Sequence, residues 1–180
     1  MCIACHRPPL FSDQNFHNIG TTQNEYDSIH GYGAFSKLDI PTLKRRKDIY
    51  FNERPVADSK HKVDLALYNF MFRSNNPEIT QYMREQLCSI NSCTDEQLLM
   101  ASIARVKTPT LRNLGHSAPY LHNGSSIDLQ RVLEAYKSNS KLNREGLLRN
   151  GAPQLKAMRL NSIDLEEIEL FLNSLNENYE

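Results

Sequence analysis

Residues 2–6 read Cys2-Ile3-Ala4-Cys5-His6, and these five positions decide what the rest of the chain must build around. Set on a helical turn, two thiols at this spacing can form thioethers with the two vinyl groups of a haem. The adjacent imidazole of His6 then lies under the iron as proximal ligand. Covalent attachment retains a haem in a small protein that cannot bury it fully. The spacing has a rival, because Cys-x-x-Cys also serves zinc and thiol redox chemistry. Cys2 and Cys5 together with Cys88 and Cys93 would supply the four thiolates of a tetrahedral zinc site in a helical module. Cys88 and Cys93 have a plainer reading as a local disulfide joining two helices in an oxidising compartment. A thioredoxin-like site is disfavoured because no strand precedes Cys2.

The composition bounds the remaining options. The chain has 180 residues, of which 39% are hydrophobic and none is Trp, a modest apolar supply for one domain or a domain with a large insertion. Lys+Arg and Asp+Glu each number 21, so there is no net basic footprint for nucleic acid. Lys44-Arg45-Arg46-Lys47 is the one dense basic run and reads as a solvated loop face. No apolar run is long enough to span a membrane. Cys2 follows Met1 at once, with neither the basic nor the apolar stretch of a signal peptide.

Working outward, residues 7–61 read as mostly irregular, punctuated by Pro8, Pro9, Gly20, Gly31, Gly33, Pro41 and Pro55. A helical period begins near Lys62, with Val63, Ala66, Leu67, Phe70 and Met71 on one face. Asn76-Pro77 then pairs an N-cap with a proline at the first helical position. Ile79, Tyr82, Met83 and Leu87 form the face of that helix. Thr94-x-x-Gln97 is a capping box, with Leu98, Met100, Ala101 and Ala104 as apolar contacts and Pro109 closing the helix. Residues 107–126 are loop-like. A helix after Ser126 carries Leu129, Val132, Leu133 and Tyr136 on one stripe. The last helix starts near Ser162, with acids in its first turn and Leu165, Ile168, Phe171, Leu172 and Leu175 buried. The fold class is all-α.

A sixth ligand for the iron remains open from chemistry alone. Met71, Met83, Met100, Met158, the other histidines and a tyrosine all qualify. The Met residues on apolar faces read more simply as core.

Three stretches resemble one family. Residues 107–124, KTPTLRNLGHSAPYLHNG, resemble a signature of the bacterial di-haem cytochrome c peroxidase and MauG superfamily. CIACHRPPLFSDQNFHNIG at residues 2–20 resembles the second haem motif of those proteins. DLEEIELFLNSLNENY at the other end resembles their last helix. The resemblance implies a cytochrome c-like C-terminal haem domain with long loops, spanning residues 1–180, with about residues 37–106 an insertion found in one MauG-like branch. It makes zinc improbable. It also orders the ligands: classical members place a Met in the helix after the PY-x-H-x-G loop, and MauG-like members place a Tyr there. The matching helix here is IDLQRVLEAY, and Tyr136 stands at that position as distal ligand. A phenolate donor favours ferric iron and a lower potential than His/Met ligation.

The resemblance further implies a calcium ion between two haem domains, with backbone carbonyls of Ser117 and Pro119 among its ligands. His122 lies in the same loop, where it can meet haem or ion or serve as an ordinary hydrogen bonder. The chain carries one Cys-x-x-Cys-His only, no catalytic residue can be named, and the peroxidatic N-terminal haem domain of the family is missing. The expectation is therefore a haem c electron-transfer domain resembling the C-terminal half of a MauG-like oxidoreductase. It would be periplasmic or otherwise extracytoplasmic and would work with a second haem domain or a redox-partner protein. The alternative is a self-sufficient mono-haem peroxidase in which Tyr136 dissociates to admit peroxide. The absent leader, and the absence of helix residues before Cys2, suggest that Met1 is not the natural start.

Overall fold

A computed structural model describes residues 2–43, 53–88 and 93–177. The basic run 44–47 lies outside the described residues. The chain is mostly helical. In chain order it forms β1 (Phe16–His17), α1 (Thr21–His30), α2 (Leu67–Arg73), α3 (Pro77–Leu87), α4 (Asp95–Ala101), β2 (Val106–Lys107), α5 (Leu129–Arg144), α6 (Pro153–Lys156) and α7 (Ser162–Ser174). The two short strands pair with each other. The chain divides into two compact units, one of residues 1–15 with 107–180 and one of residues 16–106.

The unit of residues 16–106 has its own core. Tyr26, Phe35, Val63, Leu65, Tyr68, Leu98 and Leu99 are its most deeply buried apolar side chains. Two tyrosines also fasten irregular chain to it: Tyr26 Oη donates to Lys60 O at 2.8 Å and Tyr68 Oη to Pro41 O at 2.5 Å. Caps start two of its helices where the sequence places them. The Asn76 side chain accepts from Glu78 N and Ile79 N ahead of α3, and Thr94 and Gln97 complete a capping box at α4.

Three local expectations change. Helix α1 forms within the stretch read as irregular. Its first turn buries Thr21, Thr22 and Gln23 rather than apolar residues, so it carries little helical period to find. Its C-terminal turn is secured by the Asp27 carboxylate, which accepts from Gly33 N and Phe35 N. The helix expected from Lys62 starts only at Leu67, because Leu65 and Ala66 are tied to Ala104 and Arg105. Asp64 Oδ1 accepts from Ala66 N and from Asn69 Nδ2, Ala66 takes φ 54°, and Leu67 N bonds Arg105 O. The apolar face rotates accordingly, burying Tyr68 and Phe72 and leaving Phe70 exposed. Helix α4 ends at Ala101, well short of Pro109, and Ala104 already has φ 58°.

The other unit is built on α5. Leu129 and Leu133 meet Leu165 and Leu172 of α7. The opposite end of α5 packs on α6, where Leu148, Ala152, Leu155 and Met158 form a second cluster that Tyr136 joins. Asp128 caps α5 through Arg131 N, and Asn161 with Asp164 forms a capping box at α7. Phe171, expected on the buried face of α7, is exposed at 48%, while Leu165 and Leu172 are buried.

These assignments set a scale for substitutions in the helical core. Leu98→Ala should cost about 2–5 kcal/mol by leaving a cavity, whereas Asn76→Ala should cost about 1 kcal/mol by losing a cap. Urea denaturation followed by far-UV circular dichroism measures both.

Candidate functional site

The Cys-x-x-Cys-His segment folds as a short 3-10 turn, Cys2–Ala4. Cys5 N and His6 N both donate to Cys2 O, at 3.1 and 2.9 Å. This turn brings residues 2, 5 and 6 onto one face, the i, i+3, i+4 relation of a helix. Both thiols are free, Cys2 exposed and Cys5 partly buried. Cys88 and Cys93 form a disulfide within the unit of residues 16–106. The four-cysteine zinc alternative therefore loses two of its ligands, and the two remaining thiols stand beside an imidazole.

His6 is oriented from the chain that follows it. Its Nδ1 lies 2.9 Å from Phe11 O. A carbonyl only accepts, so Nδ1 carries the proton and Nε2 is the nitrogen with a lone pair for a metal. Phe11 itself takes φ 51°.

Residues 108–112 bind the stretch after the motif along its length. Ser12 Oγ donates to Thr108 O at 2.8 Å, Thr108 N to Asn15 O at 2.8 Å, and Thr110 Oγ1 to Leu10 O at 2.8 Å. Arg112 gives two bonds to Pro9 O, from Nε at 3.0 Å and Nη2 at 2.9 Å. Sequence reading marked this stretch as a signature and gave Arg112 no role. Its type, a planar fork of donors, was the available signal.

Tyr136 lies on α5 and packs against the Leu148–Met158 cluster. Burial, followed by the Cys5 and Cys2 thiols, pushes its pKa up from the ordinary phenol value. Met71 and Met83 belong to the core of the other unit and Met100 packs against it. Met158 is the one methionine among the described residues of the unit that holds the motif.

Ser117 and Pro119 are exposed in the loop before α5, and Ser117 Oγ donates to Asn113 O. Tyr120 and Ser126 close that loop through a bridge, with Tyr120 Oη donating to Leu114 O. His122 is exposed at its tip.

The donor set fits a covalent haem c. Two thiols free of disulfide at the attachment spacing share a turn with an imidazole whose tautomer is fixed. In a haem-bound state Cys2 and Cys5 would hold the group covalently and His6 would supply an iron ligand, with Tyr136 the candidate for a second.

Cys5 also carries a pH signature in the haem-free chain. Burial, then the Asp13 carboxylate, push its thiol up to about 11, against a smaller lowering by Arg7. The folded state holds this proton more tightly than the unfolded one. The associated stability is present below the ordinary thiol pKa and is lost as pH rises toward about 11. Alkylation of Cys5 in folded, haem-free protein at pH 8 should be slower than in urea, and the gap should close as pH approaches 11. Mass-spectrometric timing of iodoacetamide labelling reads this directly.

Comparison with known proteins adds relatives to this geometry. No known family profile matches the chain, and no solved structure does. Among curated proteins it is similar to "Cytochrome-c peroxidase IdrP1" of Pseudomonas sp. (strain SCT), 21% identical over 97% of this chain and 36% of the relative. "Cytochrome-c peroxidase IdrP2" of Denitromonas iodatirespirans is 27% identical over 75% of this chain and 27% of the relative. "Methylamine utilization protein MauG" of Methylophilus methylotrophus is 33% identical over 38% of this chain and 19% of the relative. The chain spans little more than a third of the length of the IdrP1 relatives. Spread over nearly the whole chain with one group and confined to part of it with the other, this similarity supports a cytochrome c peroxidase and MauG-like family for the chain.

Proposed function

We propose that this chain carries one covalent haem c, attached through Cys2 and Cys5, with His6 as proximal and Tyr136 as distal ligand, and that it handles electrons for a larger oxidoreductase. The observation that carries the reading is the single turn presenting both thiols and a tautomer-fixed imidazole. When bound, the haem would supply one-electron chemistry. The protein's own contribution is to hold the ligands and set their basicity.

His6 keeps its Nδ1 proton engaged with Phe11 O, which raises the donor strength of Nε2. Burial opposes charge on the Tyr136 oxygen in the haem-free chain. Ferric iron would reverse that balance, because a bound metal cation stabilises the deprotonated ligand. Both effects favour the ferric state and a low potential. No acid–base pair for O–O cleavage is assigned among the described residues, which favours electron transfer over a peroxidase acting alone.

In this reading residues 1–180 are the C-terminal haem domain of a di-haem protein. Residues 37–106 form its insertion, inside the separately cored unit of residues 16–106. Ser117 and Pro119 would offer carbonyls to a calcium ion shared with a second haem domain. The site of action would be the periplasm or another extracytoplasmic space. Among the described residues no helix is long and apolar enough to cross a membrane.

Expression with periplasmic c-type maturation should give a pyridine haemochrome spectrum with one haem per chain. Cys2→Ser with Cys5→Ser should abolish covalent attachment, and a wild type without c-type haem would remove the proposal. Tyr136→Phe should convert a low-spin six-coordinate spectrum to a high-spin one, or to a thioether-ligated one if Met158 takes the vacated position. An unchanged spectrum would remove Tyr136 as ligand. Peroxide turnover by the chain alone at the rate of a di-haem enzyme would overturn the electron-transfer role.

A further inference from the structure

We infer that Arg112 is a positioning residue for the proximal ligand: it fixes the Phe11 carbonyl against His6 Nδ1 and thereby helps set the potential of the haem iron. The inference rests on the proposed attachment at Cys2, Cys5 and His6.

The argument starts at Phe11. Its carbonyl is the acceptor for His6 Nδ1, at 2.9 Å. Its φ of 51° lies in the left-handed region, which a residue with a Cβ occupies only when its surroundings hold it there. Released, the backbone would relax to negative φ, the carbonyl would turn, and the bond to His6 would lengthen or break.

Two kinds of contact hold Phe11. The first grips the backbone on either side of it. Arg112 Nε and Nη2 both donate to Pro9 O, Thr110 Oγ1 donates to Leu10 O, and Ser12 Oγ donates to Thr108 O. The second grips the ring. The Arg112 guanidinium carbon lies 5.4 Å from the Phe11 ring centroid, and Phe171 meets the same ring edge-on at 6.0 Å. Of these side chains, only Arg112 holds both the preceding backbone and the ring. A guanidinium suits both tasks, because its planar fork reaches one carbonyl with two N–H groups while its face lies on an aromatic ring. An ammonium is a point charge and cannot reproduce that pairing.

The link to function is electronic. A firm acceptor on Nδ1 gives the imidazole more anionic character and makes Nε2 a stronger donor to ferric iron. Loosening Phe11 O weakens that donor, so the ferric state is less favoured and the potential rises. Arg112 needs no contact with haem to have this effect.

The test uses the full chain matured with haem c. Arg112→Lys and Arg112→Gln should both retain covalent haem, raise the midpoint potential, and lower the iron–imidazole stretching frequency of the reduced five-coordinate form. Thr110→Val, which releases Leu10 O alone, should move both readings in the same direction and by less. Leu98→Ala opens the core of the unit of residues 16–106, which includes neither the clasp nor α5 or α7, so it controls for general loosening and should leave both readings in place. If the Arg112 variants bind haem and keep the wild-type potential and frequency, the inference fails while the attachment reading stands. It also fails if Leu98→Ala shifts the potential as far as Arg112→Lys does. If wild-type protein carries no c-type haem, the attachment reading fails first and takes this inference with it.

Discussion

The site depends on the fastening of residues 8–15 to residues 108–112. The motif at residues 2–6 has no member in a core cluster among the described residues. What makes it part of a folded unit is a row of side chain and backbone bonds to a segment roughly a hundred positions further on. Closing so long a loop costs conformational entropy, although that cost grows only as the logarithm of loop length. The intervening residues 16–106 reduce it further by folding around a core of their own, with β1 and β2 paired where the chain enters and leaves. A separately cored segment of this size is therefore compatible with a motif held by the segment that follows it.

The same fastening links packing to chemistry. Phe11 is held in an unfavourable backbone conformation, and the carbonyl so displayed orients His6. In the same unit, α5 packs against α7 through Leu129 and Leu133 and against the Leu148–Met158 cluster, which Tyr136 joins. The motif turn is clasped by one loop and Tyr136 is carried by one packed helix, and under the proposed ligation these would be the supports of the two iron ligands.

The disulfide bears on two readings that spacing alone left open. Cys88 and Cys93 are paired within their own unit, packed against its core. That removes them as metal ligands and leaves Cys2 and Cys5 for another purpose. The similarity to cytochrome c peroxidases and MauG agrees with this division of the four cysteines.

By itself the sequence determined whatever depends on neighbours a few residues apart. The common face of Cys2, Cys5 and His6, the caps at Asn76 and Thr94, and the apolar stripes of α5 and α7 are local consequences of helical period and side-chain hydrogen bonding. Where long-range contacts compete with period, only the tertiary structure decided. Helix α1 buries polar residues, the chain at residues 65–67 is tied to Ala104 and Arg105 instead of extending a helix backwards, and the apolar face of α2 turns away from Phe70. The bond from His6 to Phe11 O spans five residues, but the hold of Arg112 on Pro9 O and on the Phe11 ring is of the second kind. Arg112 meets them only because two distant segments close on each other, and no spacing in the sequence records that distance.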